Sequence, residues 1–334
     1  MTAHSPIGRR GFLAGGAALV AATASMSLGS GTVAASTAGS RPVPNPVAPV
    51  YLGYRRADYN LPYAKFFTET VSPVQQQIRD AVAAPPTPSA DIPPLADLAT
   101  ELSAPGYSKI ENGYGSLTGD PAQGTWTAAL TKMPGVTPEM WDWWFGWHSA
   151  DTARYKLWHP EAHLHASLRD DLADEPGLTD KERYIGNVSY VDEYLPDYRG
   201  GRDYHGDGAA GVIVTPGISF VDPAEIGLDL SKFDGTAIVG RGGPQGGTDV
   251  QTLFVHQVRR VRDGCEMRSR FYVNAAPIVG YRPARPQAAS DQVKRSVLPV
   301  AGRPPATLNL LHTGQEMNHL AKFLPALYRE FRRR

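Results

Sequence analysis

A histidine and a glutamate near the end of the chain have the spacing of half a metal site. His312 and Glu316 lie four positions apart in a segment of helical periodicity, so both side chains project from one helix face. His319 follows on the same face, a further turn along. Such pairs often arise by chance on solvated surfaces. Here they border a stripe of leucines expected to face the core, where an unpaired charge is costly, and this position favours metal binding.

Three of the nine histidines lie within seven positions in the middle of the chain: His159, His163 and His165. Neutral imidazole is a favoured zinc ligand, and histidines combined with one or two carboxylates leave a coordination position for water, as catalytic zinc requires. The alternative to metal binding is that this segment is a polar helix start. His159 would then cap the helix, which explains only one of the three histidines. The cluster therefore indicates a catalytic zinc site.

The predicted site needs a carboxylate between these two segments, and residues 191–194 offer two in a strand-like run. Glu193 is the preferred ligand, and Asp192 is the structural alternative. His256 alternates with its neighbours in another predicted strand, so it can face a cavity, although a single histidine in a strand is more often structural.

The periodicity of the chain predicts the elements that position these residues. Residues that favour β structure concentrate in four closely spaced segments, which implies antiparallel pairing. These segments are residues 211–215, 236–240, 252–261 and 267–275. Apolar residues from Leu310 to Phe331 recur at helical spacing and predict one long amphipathic helix, kinked at Pro325. The order of elements predicts an α+β fold.

Two further segments have a distinct composition. Residues 140–148 carry four of the six tryptophans after a helix start with Pro138 in its first position, and they predict a core helix that also walls an apolar pocket. Residues 83–94 are rich in proline and predict a link between a small N-terminal helical piece and the main body.

The first residues resemble a twin-arginine export signal. Arg9 and Arg10 precede a mildly apolar stretch and small residues near Ala35. A membrane anchor or a chance arginine pair is the alternative, but the apolar run is too interrupted by glycine to favour a spanning helix. We expect a signal peptide over residues 1–35, a flexible linker over 36–50, and an exported protein, extracellular or periplasmic, with no stable membrane insertion after cleavage.

The overall composition excludes some partners. The net charge is +0, with 33 basic and 33 acidic residues, so no uniform positive field would hold nucleic acid. Cys265 is the only cysteine, and no disulfide can form within the chain. The sequence leaves open whether two chains pair as a homodimer.

Together these motifs resemble the metal-dependent hydrolases of diacetylphloroglucinol and phloretin. The resemblance rests on residues 134–147, 154–163, 193 and 312–325 and, with residues 51–67, covers roughly the mature chain. It implies one hydrolase domain over residues 51–334, with residues 51–95 as a helical extension packed on the body. It also implies a helix-grip fold like that of START domains and the birch pollen allergen, a curved antiparallel sheet around a long C-terminal helix.

The resemblance also implies a role for each matching residue. The implied zinc ligands are His163, Glu193, His312 and Glu316. Tyr155 resembles the family's phenol-binding tyrosine, and His256 and Tyr272 resemble its further pocket residues. The family's pocket asparagine has no match, because Ala166 and Ser167 stand where it is expected.

The implied reaction is hydrolysis of the carbon–carbon bond between an acyl group and a polyphenol ring, releasing a carboxylic acid. Tyr155, Tyr272 and His256 would bind the phenolic oxygens and favour the keto tautomer, whose leaving group is a stabilised enolate. Glu193 or His256 would then move the proton to the ring carbon, and the sequence does not separate ligand from base. Two alternatives are an exported carrier of an aromatic or polyketide ligand and a zinc hydrolase of esters or lactones. Two histidines and two glutamates favour the carbon–carbon hydrolase over a pure carrier.

Overall fold

The computed structural model describes residues 52–196, 211–214, 216–244, 252–273 and 305–332. All of these described residues belong to one compact unit. The expected signal peptide, residues 1–35, and the linker, residues 36–50, lie outside the described residues. Within the described ranges, no helix is both long enough and apolar enough to cross a membrane.

The described residues form seven α-helices and nine strands, with short 3-10 turns between them. The helices are α1 (Gln76–Ala83), α2 (Leu98–Ser103), α3 (Pro138–Trp147), α4 (Thr152–Lys156), α5 (Asp180–Tyr184), α6 (Pro305–Ala321) and α7 (Leu324–Phe331). The strands are β1 (Gly113–Ser116), β2 (Thr125–Pro134), β3 (His163–Leu168), β4 (Val188–Pro196), β5 (Gly211–Val214), β6 (Pro216–Val221), β7 (Gly235–Pro244), β8 (Thr252–Val261) and β9 (Gly264–Val273).

The strands form one sheet in the order β1-β2-β9-β8-β7-β6-β4-β3, with β5 paired to β4, and every pair is antiparallel. Alternation along the strands gives the sheet two buried faces. On the inner face, Met267 joins a core that includes Trp144 of α3 and Leu320 of α6. On the outer face, Trp126 packs with Leu102 of α2.

The outer face also buries charge. Arg268 and Arg270 of β9 are almost inaccessible to solvent, and both bind Glu101 and Glu111 from the N-terminal part of the chain. Buried guanidinium groups require such partners, because an unpaired buried charge is strongly destabilising. These ion pairs therefore fix the segment that contains α2 against the back of the sheet.

The expectation of a helix-grip fold, a sheet around one long C-terminal helix, is wrong. The inner face packs against several helices, since α3 lies on β7 and β8 while α6 lies on β2. The C-terminal segment is also two helices, α6 and α7, with Pro325 in the first turn of α7. Proline has no N–H and its ring clashes with the carbonyl four residues earlier, so it ends one helix and suits the start of the next.

Candidate metal centre

Three elements bring four of the predicted site residues together. His163 is the first residue of β3, and the strand register pairs it directly with Glu193 of β4. His312 and Glu316 lie one turn apart on α6, which packs on β2 and approaches β4. Positions separated by about 150 residues in sequence therefore share one site because α6 contacts both β2 and β4.

The four side chains converge on one small volume. Glu316 Oε2 lies 3.5 Å from His163 Nε2 and 3.5 Å from His312 Nε2. Glu193 Oε2 lies 3.6 Å from His312 Nε2. One ligand atom each from His163, Glu193 and His312 lie within 4.8 Å of one another. Neighbouring ligands at about 2.0 to 2.1 Å from a tetrahedral zinc ion would lie about 3.4 Å apart, and the three spacings of 3.5, 3.6 and 3.5 Å are close to that value.

The hydrogen bonds of His163 leave one ring nitrogen available as a ligand. Its Nδ1 lies 2.8 Å from the backbone oxygen of Tyr155, a pure acceptor, so Nδ1 carries the proton and donates it. Its Nε2 is fully buried and has no hydrogen-bond partner among the described residues. A metal-binding histidine usually makes a hydrogen bond through its other ring nitrogen, and that bond fixes the tautomer.

The electrostatics of the cluster also fit a cation. Burial and the neighbouring Glu193 raise the pKa of Glu316 well above its ordinary value. Burial lowers the pKa of His163 and of His312, which keeps both imidazoles neutral near pH 7. The four side chains are two carboxylates and two neutral imidazoles, and none of them carries a positive charge. A divalent cation bound among them would relieve the repulsion between the two carboxylates.

Tyr155 of α4 connects two of these residues. Its hydroxyl donates a hydrogen bond to Glu193 Oε1, while its ring stacks on the His163 imidazole with centroids 3.8 Å apart and planes within 4°. Burial, with Glu193 beside it, raises the pKa of the Tyr155 hydroxyl well above its ordinary value, so the group stays protonated and remains a donor. Asp151 caps the N-terminus of α4 and accepts from the backbone N–H groups of Ala153 and Arg154.

The other histidines of the central cluster lie outside the four-residue set. His159 is buried behind it, with its ring stacked on His312 at 5.0 Å and its Nε2 3.4 Å from Gln315 Oε1. His165 Nδ1 lies 3.1 Å from Thr152 Oγ1. The histidine-rich segment therefore contributes one residue, His163, to the four-residue set, and Gln315 carried no recognisable signal in the sequence.

His256 lies on the inner face of β8, within an aromatic wall. Its Nδ1 is 2.8 Å from Ser269 Oγ, and burial lowers its pKa to about 3. Phe145 lies 6.2 Å from the His256 ring and 5.4 Å from the Trp158 ring, and Trp158 in turn contacts the His163 ring at 5.8 Å. Two aromatic side chains, Phe145 and Trp158, therefore lie between His256 and the candidate metal centre.

Tyr272 is not brought to the site. It lies on the outer face of the sheet, where its hydroxyl donates to the backbone oxygen of Pro93 at 2.9 Å. Phe271, the neighbouring residue, occupies the inner face and contacts the His256 ring at 5.5 Å. Asp192 is buried and, by strand alternation, points to the face opposite Glu193.

Known proteins with similar sequences are hydrolases by name. Residues 92–329 match the family model described as the DAPG hydrolase PhiG domain. The chain is 30% identical over 299 residues to a 2,4-diacetylphloroglucinol hydrolase of Pseudomonas protegens, covering 86% of this chain and 90% of that protein. It is 26% identical over 292 residues to a phloretin hydrolase of Eubacterium ramulus, covering 84% and 94%.

The relatives identify the chain as a hydrolase, and the cluster of His163, Glu193 and His312 is its candidate metal centre. The chain belongs to the DAPG hydrolase family, and the resemblance predicted from the sequence is confirmed.

Proposed function

We propose that this protein uses zinc, held by His163, Glu193, His312 and Glu316, to hydrolyse the carbon–carbon bond between an acyl group and a phloroglucinol-type ring. The observation that carries the proposal is the convergence of these four side chains, with His163, His312 and Glu316 buried and the Nε2 lone pair of His163 facing the other ligands. The relatives named as hydrolases of 2,4-diacetylphloroglucinol and of phloretin support the substrate class.

A zinc ion bound by such a set supplies Lewis acidity toward a carbonyl oxygen and lowers the pKa of water to about 7. The reaction adds water across the aryl–acyl bond, so the acyl carbon gains the oxygen and the ring carbon gains a proton. Tyr155 is protonated, and its single O–H, which donates to Glu193 in this structure, would be turned toward a substrate oxygen when the substrate binds. Glu193 Oε2 or the neutral His256 then moves the proton to the ring carbon.

Aromatic side chains support an aromatic substrate. Phe145, Trp158, Phe254 and Phe271 surround His256 or lie between it and the metal centre. Such walls exclude water and favour a flat ring through edge and stacking contacts. Ala166, at the position where the family's asparagine is expected, is buried in the same core and offers no hydrogen bond from its side chain.

Product analysis with a panel of acylated phloroglucinols and matched esters tests the proposal. We expect one carboxylic acid and one deacylated phenol per substrate molecule from the acylphloroglucinols. Cleavage of the esters alone would instead indicate an ester or lactone hydrolase. Retention of an aromatic ligand without an acid product would indicate a carrier. His312→Ala should lose both metal and turnover, and retention of both would refute the ligand assignment.

We also propose that the protein is exported by the twin-arginine route, on the basis of Arg9 and Arg10 and the apolar stretch that follows. Replacement of both arginines by lysine should keep the protein in the cytoplasm, whereas the unaltered protein should be recovered from the periplasm or the medium with a new N-terminus near residue 36. Export of the double variant at the normal level would contradict this route.

A further inference from the structure

The segment just before α1 contacts several of the elements that surround the candidate metal centre. We call residues 52–75 the N-terminal strap. They precede the residues that match the family model, 92–329. The contacts of the strap fall on α4, on the turn before β3 and on α6, and these elements hold Tyr155, His163 and the pair His312 and Glu316.

On the side of α4 and β3, hydrogen bonds from several positions hold the strap in place. The backbone of Gly53 donates to Pro160 at 2.9 Å and accepts from Lys156 Nζ at 2.7 Å. Tyr63 donates to Asp151 Oδ1 at 2.9 Å. The backbone N–H of Val71 donates to Glu161 Oε2 at 2.7 Å, two residues before His163. The strap therefore borders the first half of the site.

On the side of α6, the strap is tied through both nitrogens of His319. The backbone N–H of Ser72 donates to His319 Nδ1 at 3.0 Å, so Nδ1 is an acceptor and the ring proton resides on Nε2. Nε2 lies 3.0 Å from Thr68 Oγ1 and donates to it. His319 is only 3% exposed, so these bonds are made in a buried setting where loss of either one leaves an unsatisfied polar group.

Two further contacts hold α6 against the same region. Asn318 donates to the backbone oxygen of Pro73 at 2.6 Å and accepts from Gln75 Nε2 at 3.0 Å. Gly314, between the two ligands of α6, faces Ile78 so closely that a Cβ there would lie 2.9 Å from Ile78 Cγ2. The face of α6 that points away from the ligands is therefore held at Gly314, between the two ligands, and at Asn318, near the next turn.

We propose that His319 is a positioning residue of the metal centre, through which the N-terminal strap holds α6 at the depth where His312 and Glu316 meet His163 and Glu193. The inference rests on the proposed metal site. Glu316 is three residues before His319, so a helix displaced at His319 carries Glu316 with it. The 3.5 Å spacings at Glu316 leave little tolerance, since a shift of about 1 Å would remove a ligand from bonding distance.

The test compares metal binding by intact variants. His319→Phe keeps the ring volume and removes every hydrogen bond between this side chain and the strap. His319→Asn retains an acceptor near the position of Nδ1 for the Ser72 N–H, and Thr68→Val removes a single hydroxyl with little change in shape. Gln76→Ala, on the exposed face of α1, is the control. Each metal-free protein is titrated with Co²⁺, whose absorption spectrum reports ligand geometry, and competed with a chelator for Zn²⁺.

We expect His319→Phe to bind both ions about tenfold more weakly, or worse, with an altered cobalt spectrum. Thr68→Val should lose about threefold in affinity, the loss expected for one neutral hydrogen bond. His319→Asn should recover most of the affinity, and Gln76→Ala should match the unaltered protein. The recovery and the spectrum separate positioning from a general loss of stability.

Wild-type cobalt affinity and spectrum in both His319→Phe and Thr68→Val would overturn the inference while leaving the metal site intact. If His319→Phe does not fold, Thr68→Val decides the question alone. An unaltered protein that binds neither ion would instead overturn the proposed function, so the two failures are distinguishable.

Discussion

Acid should weaken the attachment of the N-terminal region to the outer face of the sheet through one carboxylate, Glu111. Its oxygens accept from Arg268 Nε at 3.1 Å and from Arg270 Nη2 at 2.7 Å, and its side chain is about a tenth exposed. Burial alone would raise the pKa of Glu111, but the hydrogen bonds and charge of the two arginines outweigh it and lower the pKa to about 2.

The sign of the effect follows from that lowered pKa. The folded protein binds a proton at Glu111 less readily than the unfolded chain, so the stabilisation is complete above the ordinary value of 4.5 and is lost as the pH falls toward 2. The difference between the two pKa values corresponds to about 3 kcal/mol. In Glu111→Gln, two buried guanidinium groups retain only Glu101 as an acidic partner in this cluster, and we expect a loss of about 3 to 5 kcal/mol at pH 7.

Urea unfolding of the unaltered protein and Glu111→Gln between pH 7 and pH 2.5 measures both quantities. The unaltered protein should lose stability steeply below pH 4.5, while the variant, already less stable, should depend less on pH in that interval. Asp91→Asn is the matched control, because its pair with Lys109 is exposed and contributes little. Equal stability of Glu111→Gln and the unaltered protein at pH 7, with equal slopes against pH, would refute the reasoning.

Three other variants test the site and the core. Tyr155→Phe keeps the ring stack on His163 but removes the donor to Glu193, so zinc affinity measured by chelator competition should fall about tenfold, and an unchanged affinity would contradict the role of this hydroxyl. His256→Gln should retain zinc and lose about 10²-fold in kcat, because the proposal gives His256 a role in proton transfer and none in metal binding. Loss of metal from this variant would contradict that role. Gly240→Ala should cost about 1 to 3 kcal/mol in thermal unfolding, because the added Cβ would lie 2.1 Å from Phe254 Cζ, and an unchanged Tm would show that the ring can move aside.

Elements with a strong local signal were predictable from the sequence. The alternating segment 252–261 has the bounds of β8, and Pro138 begins the tryptophan-rich helix α3 in its first position. Both signals depend only on side-chain period and backbone chemistry within about ten residues. The spacing of His312 and Glu316 on α6 is a local signal of the same kind.

Which face of the sheet a residue occupies was less predictable. Tyr272 and Phe271 are neighbours in β9, yet only Phe271 is on the inner face, because a shift of one position reverses the side of every side chain. The register between β3 and β4 also shifts between His163 and His165, an irregularity with no sequence signature. The break between α6 and α7 was underestimated as a kink at Pro325.

Partners distant in sequence were not predictable from one chain. Ser72 and His319 are 247 positions apart, and Glu111 and Arg268 are 157 apart. No local sequence pattern links the two residues of either pair. The N-terminal strap and the ion pairs of the outer face therefore emerged only from the fold.

X-ray diffraction from crystals of the purified protein, recorded on both sides of the zinc absorption edge, tests the central claim most directly. We predict a single strong anomalous peak at about 2.0 to 2.2 Å from His163 Nε2, His312 Nε2 and an oxygen each of Glu193 and Glu316. Zinc-loaded crystals that show no peak among these four side chains, or a peak only elsewhere, would contradict the account.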